Sequence, residues 1–286
     1  MQGKGFLKLN LTVTEFGIRP KGFPKGYIRR CILSRVTRGN VSDIDGAIRA
    51  NGSANLFLIN PAGIVFGEDA SLNIGGSFYG SSASSILFKD GEFSATDLDS
   101  PPLLTVNAPI GLGFRDNPGD IINRSTADGG SDPAGVSGYF GLRVPDGKSF
   151  ALAGGEIKAN DGGIVTFGGR IDLAAVEGKG TLGLTSNGND FSFSFPGNLP
   201  RGDVSLTNQA GFLVAAGGGG DIVINARNID IKNNSSLNAG ILSNLGSIDS
   251  QAGDIRLNSS ETLAIADSSD AIIIIFFQKQ SVMLAI

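Results

Sequence analysis

The length of the apolar runs most constrains what this chain can fold into. They span about four to seven residues, and each is bounded by Gly, Asn, Asp or Pro: "ANLFLI", "GIVF", "SILF", "PLLTV", "KSFALA", "GIVTF", "RIDLAAV", "DIVIN" and "DIRLN". Runs this short between turn formers read as strands, and helical periodicity is nearly missing. Much of the punctuation is glycine, at 43 of 286 residues, against an average share of about 7%. Apolar residues still make up 41% of the chain, enough to build a core and to exclude a disordered polymer.

Some of these runs echo one another. "GDVSL" begins at Gly202, "GDIVI" at Gly220 and "GDIRL" at Gly253; shorter echoes are "GGEIKA" from Gly154, "GGIVTF" from Gly162 and "GGRIDL" from Gly168. Self-similarity on a scale of about 20 residues points to a solenoid. The expected architecture is therefore all-β, a parallel β-helix whose coils stack about 4.8 Å apart. No coil buries its inward side chains alone, so stacking supplies the core. Asn225, Asn228, Asn233 and Asn234 are expected to sit at corners and bond neighbouring coils in ladders. The rival is a β-sandwich, which needs more two-residue hairpins than the Asn-Gly dipeptides in "RANGSAN" and "TSNGND" provide.

In "NLFLINPAGIVFG", Asn55 to Gly67, an apolar run stops at Asn-Pro-Ala-Gly and resumes at once. Asn60-Pro61-Ala62-Gly63 fits a type I turn, with Asn bonding back at the first place, Pro presetting φ at the second and Gly favoured at the fourth. The two runs then become consecutive faces of one coil. Leu56 and Leu58 point to one side and Phe57 and Ile59 to the other. Since both sides are apolar, each must be covered, and a strand or hairpin outside the helix is expected to do so.

Charge and composition narrow the chemistry. Net charge is −4, yet seven of the 23 basic residues and only one of the 27 acidic ones (Glu15) lie in residues 1–31. An acidic body with no basic face argues against a nucleic-acid partner. Histidine is absent and Cys31 is the single cysteine. Ser-His-Asp and Cys-His catalysis, His-ligated zinc and an intrachain disulfide are therefore ruled out. No metal or cofactor site is expected. No signal peptide is visible at the start. The run "AIIIIFF", Ala271–Phe277, is far shorter than the roughly 20 residues of a membrane span, so no span is expected.

Taken together, "ILSRVTRGNVSDIDGAIRANGSANLFLINPAGIVFGEDASLNIGGSFYGSSASSILFKDGEFSATD" resembles the amino-terminal secretion domain of the filamentous haemagglutinin family, the exported partners of two-partner secretion. The markers are "NLFLINPAGIVFG" and the following "ASLNIGGSF". The resemblance implies a right-handed parallel β-helix with extra-helical strands or hairpins. It implies export through the periplasm, capture by an outer-membrane transporter and a place at the cell surface or in the medium. It also implies an adhesin-like role, with host-cell or surface glycans as further partners. The family's Asn-Pro-x-Gly-Ile motif, tied to secretion competence, falls on Asn60, Pro61, Gly63 and Ile64. Residues 32–115 correspond to the secretion (haemagglutination-activity) domain, and 116–268 to continuing coils. Residues 1–31, a basic segment, and 269–286, an apolar tail, depart from the pattern, so a chain shortened at both ends is expected.

Other motifs weigh less. "RGD" at Arg201–Asp203 coincides with the start of an echo. "GKGTLG" at Gly178–Gly183 has the dinucleotide spacing but no helix after it. "GGGGDIVIN" lacks the tandem copy of a calcium roll. Asp43/Asp45, Glu68/Asp69 and Asp97/Asp99 are candidate carboxylate pairs for glycoside chemistry, and "RVP" at Arg143–Pro145 is faintly like a lyase motif. A β-helix polysaccharide lyase or hydrolase is thus the alternative, with a non-functional gene fragment as a third reading. The expectation is a non-enzymatic protein with no catalytic residues.

Overall fold

The structure is a computed structural model and describes residues 12–18, 29–97, 108–135, 137–187, 190–242 and 245–267. The expected strand at "PLLTV", the run Ala271–Phe277 and the basic residues up to Lys25 lie outside them, as does Asp99. Among the described residues there is no helix.

The chain winds through rungs of short strands on three faces. The first rung carries β1 (Thr12–Ile18), β2 (Arg29–Arg35), β3 (Ser42–Ile44) and β4 (Ala47–Arg49); the second, β5 (Asn55–Ile59), β6 (Ile64–Phe66) and β7 (Ser71–Asn73). The third begins with β8 (Phe78–Ser81), leaves the helix for β9 (Ser85–Phe88), β10 (Gly91–Ser94) and β11 (Gly111–Phe114), and returns at β12 (Ile121–Asn123). It leaves again for the hairpin β13 (Asp128–Ser131) and β14 (Gly138–Phe140) before closing with β15 (Leu142–Arg143). The fourth holds β16 (Ser149–Gly154), β17 (Ile157–Asn160) and β18 (Ile164–Val165). The fifth has β19 (Arg170–Ala175), an excursion through β20 (Gly180–Asn187) and β21 (Asp190–Ser194), then β22 (Val204–Thr207) and β23 (Gly211–Leu213). Last come β24 (Asp221–Ile231) with β25 (Ser236–Asn238), and β26 (Ile255–Ile265).

Like faces stack in parallel. On the first face Ile32, Leu56, Phe78, Phe150, Ile171, Ile222 and Ile255 align from rung to rung. On the second face the column is Ser42, Ile64, Ile121, Ile157, Val204, Ile229 and Leu263. On the third, Leu142, Ile164, Phe212 and Leu237 align. From Leu56 to Ile231 these columns feed one buried core. β24 runs unbroken through a corner, pairing with β19 by its first half and β22 by its second. This is the expected parallel β-helix, and the sandwich alternative is excluded. One detail differs. "GGEIKA", "GGIVTF" and "GGRIDL" begin β17, β18 and β19, so that echo marks successive faces and not successive coils. "GDIVI" and "GDIRL" do stack, Ile222 on Ile255, but "GDVSL" lies on the second face. The corners before β17, β18 and β19 admit only glycine: a Cβ on Gly155, Gly163 or Gly169 would lie within 2.4 Å of a neighbouring rung's backbone oxygen.

The expected cover over the outer side of the first face is an antiparallel sheet in the order β10-β9-β11-β20-β21. Leu56 and Leu58 enter the helix core, while Phe57 and Ile59 pack outward with Tyr79, Ile86, Phe114 and Phe191. Phe57 stacks on Tyr79 with ring centroids 4.4 Å apart, and Phe191 meets both rings edge-on. Polar contacts fasten the two edges of the cover. At one, the Arg35 guanidinium donates to the Ser94 carbonyl and lies 4.7 Å above the Phe93 ring. At the other, Ser77 Oγ donates to Asp190 (2.5 Å), and the amides of Phe191 and Phe193 donate to Tyr79 Oη (2.8 Å) and Asp172 Oδ2 (2.9 Å).

Asp172 is fully buried beneath this sheet, and its Oδ1 has no hydrogen-bond partner among the described residues. Burial pushes its carboxyl from an ordinary 3.8 up to about 6, against the pull of Arg170, whose Nε lies 3.3 Å away. The folded state thus holds a proton more tightly than the unfolded chain. Stability should fall as pH rises from about 4 to about 6, by at most about 3 kcal/mol, and stay level above. Asp172→Asn keeps an acceptor for the Phe193 amide and should remove that component. Urea midpoints for both proteins from pH 4 to 7.5 test this; parallel pH profiles would refute it.

Candidate functional site

The corner between β5 and β6 shows why its residues are Asn, Pro, Gly and Ile. The Gly63 amide donates to the Asn60 carbonyl at 2.9 Å, closing the turn. Neither Pro61 nor Ala62 has a positive φ, which excludes type II and the mirror-image turns and leaves the expected type I geometry. Asn60 is wholly buried with every polar atom engaged. Its Oδ1 accepts from the Ala62 amide (3.0 Å), and its Nδ2 donates to the Asn40 carbonyl (2.9 Å) and to Ser42 Oγ (2.8 Å). Its own amide donates to the Ser81 carbonyl on the next rung. One side chain therefore ties the first rung to the second. Ile64 is buried in the second-face column, and Pro61 is half-buried.

Gly63 is required twice over. Its φ is +110°, and a Cβ there would lie 2.6 Å from the Asp120 carbonyl oxygen, which accepts from the Ile64 amide. Above it sits a second Asn-Pro: Asn117-Pro118-Gly119-Asp120-Ile121 repeats the pattern, and Ile121 pairs with Ile64. The Gly119 amide donates to the Pro61 carbonyl at 3.0 Å, and a Cβ on Gly119 would meet the Ala62 carbonyl carbon at 2.3 Å. Asn40, Ser42 and this second corner were not singled out from the sequence. The shared Asn-Pro-x-x-Ile spacing at Asn60 and Asn117 was the available signal.

Continuing up the same corner, Asp120, Glu156 and Asp203 stand one above another, each just before its second-face strand. Asp120 accepts from the Glu156 amide (3.0 Å), and Lys158 bridges Asp120 (3.2 Å) and Glu156. Arg227 grips Asp203 through Nε (2.9 Å) and Nη2 (3.0 Å), holding that carboxyl below the ordinary range. Three carboxylates thus face two cations, and the charged groups are partly exposed.

A corner of this kind, on a covered β-helix, is the setting in which the family comparison decides. The model of the TPS secretion domain matches residues 14–224. The chain belongs to the TPS secretion domain family. A search of curated proteins finds no match. Membership makes the chain a substrate of two-partner secretion, exported through an outer-membrane transporter, and the family is a secretion domain, not an enzyme family. The match begins inside the basic segment set apart in the sequence and ends within β24, and β2 crosses the expected limit between residues 31 and 32.

The remaining motifs take structural places in this TPS secretion domain. Arg201 lies 4.7 Å over the Phe195 ring and donates to the Asn258 carbonyl (2.7 Å), while Arg227 holds Asp203, so both charged groups of "RGD" are engaged internally. "GKGTLG" runs into β20, and no helix follows. Asp221 accepts from Arg170 (3.1 Å) and from the Asp254 amide (3.0 Å). Arg143 clamps the β13–β14 hairpin through the carbonyls of Gly129 (2.6 Å) and Ser131 (3.0 Å). Asp45 accepts from the Asp69 amide (2.9 Å), an inter-rung staple; Asp43 and Glu68 are exposed. Of the expected Asn ladders, Asn225 bonds Asn258 (3.0 Å), and Asn233 continues down through Asn208 (3.1 Å) to Asn160 (2.8 Å).

Proposed function

We propose that the chain is an adhesin- or haemagglutinin-like exoprotein, non-enzymatic, and that its transporter reads the segment Asn60, Pro61, Gly63 and Ile64. The match to the TPS secretion domain over residues 14–224 carries the export part of this reading. The geometry of the corner supports the rest. Asn60 is 0% exposed once folded, and its amide group is fully bonded. A reader that contacts its side chain must therefore meet the chain before this corner forms. A non-enzymatic role is supported by the use of Asp45 as a staple to the Asp69 amide and by the engagement of Arg143. In this reading the part that the transporter needs lies within residues 32–115, and residues 116–268 continue the coils.

The test is export of the full chain from a host carrying the cognate transporter. Asn60→Ile and Gly63→Val alter the segment. Gly119→Val leaves it unchanged but forces a side chain onto the Ala62 backbone. Loss of export in the first two, with Gly119→Val exported yet protease-sensitive outside, is the expected result. Equal behaviour of all three variants would remove the segment from recognition and leave it as a folding element alone.

A further inference from the structure

We infer that the outer side of the third face carries a binding groove for a neutral, hydroxyl-rich glycan chain. The groove is open, encloses about 510 Å³, and runs across β18, β23 and β25, a volume ordinary for ligand sites. Its floor is Val165 and Leu213, which are buried and pack on Phe167. The β13–β14 hairpin walls one side with Tyr139, half-buried, and Phe140, 66% exposed. The exposed phenyl ring at the lip of the groove offers an apolar face to stack on.

The opposite rim is polar and open to solvent. At the corners before β18 and β23 two residues, Asn160-Asp161 and Asn208-Gln209, carry the chain round. The first belongs to the ladder Asn160–Asn208–Asn233 and is bonded to its neighbours. The second, Asp161 with φ +60° or Gln209 with φ +66°, lines the groove. Among the described residues, the side chains of Asp161, Gln209, Ser236 and Asn238 make no hydrogen bond within the protein, so their capacity faces the groove. One carboxylate, two amides and a hydroxyl suit a ligand rich in hydroxyls. No Lys or Arg lines the groove, so it lacks a partner for an acidic polysaccharide, and Asp161 repels one. The floor repeats at the rung spacing of about 4.8 Å, close to the repeat of an extended pyranose chain. A polysaccharide-cleaving groove would need clustered acidic and basic side chains, and this lining holds Asp161 as its one charged residue.

This site is separate from the Asn60 corner, so its failure would leave the export reading untouched. The experiment is calorimetric titration of the full chain with neutral hexasaccharides of glucose and of N-acetylglucosamine, and with hexagalacturonate. At least one neutral hexasaccharide should bind. Phe140→Ala should weaken that binding tenfold or more, Phe140→Tyr should restore it, and Asp161→Ala with Gln209→Ala should weaken it further. Phe140 is exposed, so thermal unfolding of its variants should match the parent and verify the fold. Absence of binding by every neutral chain, binding of hexagalacturonate alone, or binding indifferent to Phe140→Ala would each overturn the assignment.

Discussion

Gly63→Val is expected to lower stability by about 3–5 kcal/mol, the combined cost of a β-branched residue in the left-handed region and a backbone clash. The φ of +110° alone is disfavoured for any L side chain. The clash adds to it, because the Cβ would stand 2.6 Å from the Asp120 carbonyl oxygen. That oxygen cannot retreat without breaking its bond from the Ile64 amide and loosening the pairing of β6 with β12. Gly39→Val is the control. Gly39 also has a positive φ, +71°, but a Cβ there meets nothing within 4 Å. It carries the conformational penalty alone, about 1–2 kcal/mol. Urea unfolding of both variants separates the two contributions, and equal shifts would show that the close approach of the two corners contributes nothing.

Phe57→Ala should cost about 3–5 kcal/mol, in the range of buried phenylalanine truncations. Phe57 is 1% exposed and stands between the helix and its cover, stacked on Tyr79 and met by Phe191. The cavity would open at that seam. Amide exchange should therefore accelerate most in β20 and β21, while the Phe78 and Phe150 rings, 5.4 Å apart inside the helix, keep their surroundings. Ile110→Ala, at a site 52% exposed, should shift the midpoint by no more than about 0.5 kcal/mol. Exchange rising evenly along the chain would mean that cover and helix are not separable units.

The local chemistry of the corner was legible in the sequence because each residue answers a backbone requirement: a bonded Asn, a fixed φ at Pro61, a Gly where the chain turns left. The alternation of Leu56 and Leu58 against Phe57 and Ile59 was legible for the same reason, since strand geometry fixes which side each takes. It also announced a cover, though not its source. The Asn-Gly of "TSNGND" starts at Asn187, the last residue of β20, which pairs with Asp190 of β21, and the dipeptide by itself fits a sandwich equally well. Which strands stack was not legible. Excursions of unequal length separate successive rungs, so Phe78 and Phe150 are neighbours across 72 positions. Asn160 and Asn208, 48 positions apart, meet for the same reason. A like residue at each corner says that a ladder exists, but the register that joins its members is set by stacking.

The antiparallel cover reaches from β2 to β19 on the first face, touching Leu33, Phe57, Tyr79, Ala151 and Ala174, and no described residue of β24 or β26 joins its core. Resistance to a mechanical pull is therefore unequal along the rod. Tension applied at β26 meets one rung at a time and peels it from its neighbour, hydrogen bond by hydrogen bond. Once peeling reaches β19 the load falls on the cover, which spans several rungs at once and must shear as a block. The amino-terminal part thus behaves as an anchor and the carboxyl-terminal rungs as an extensible lead.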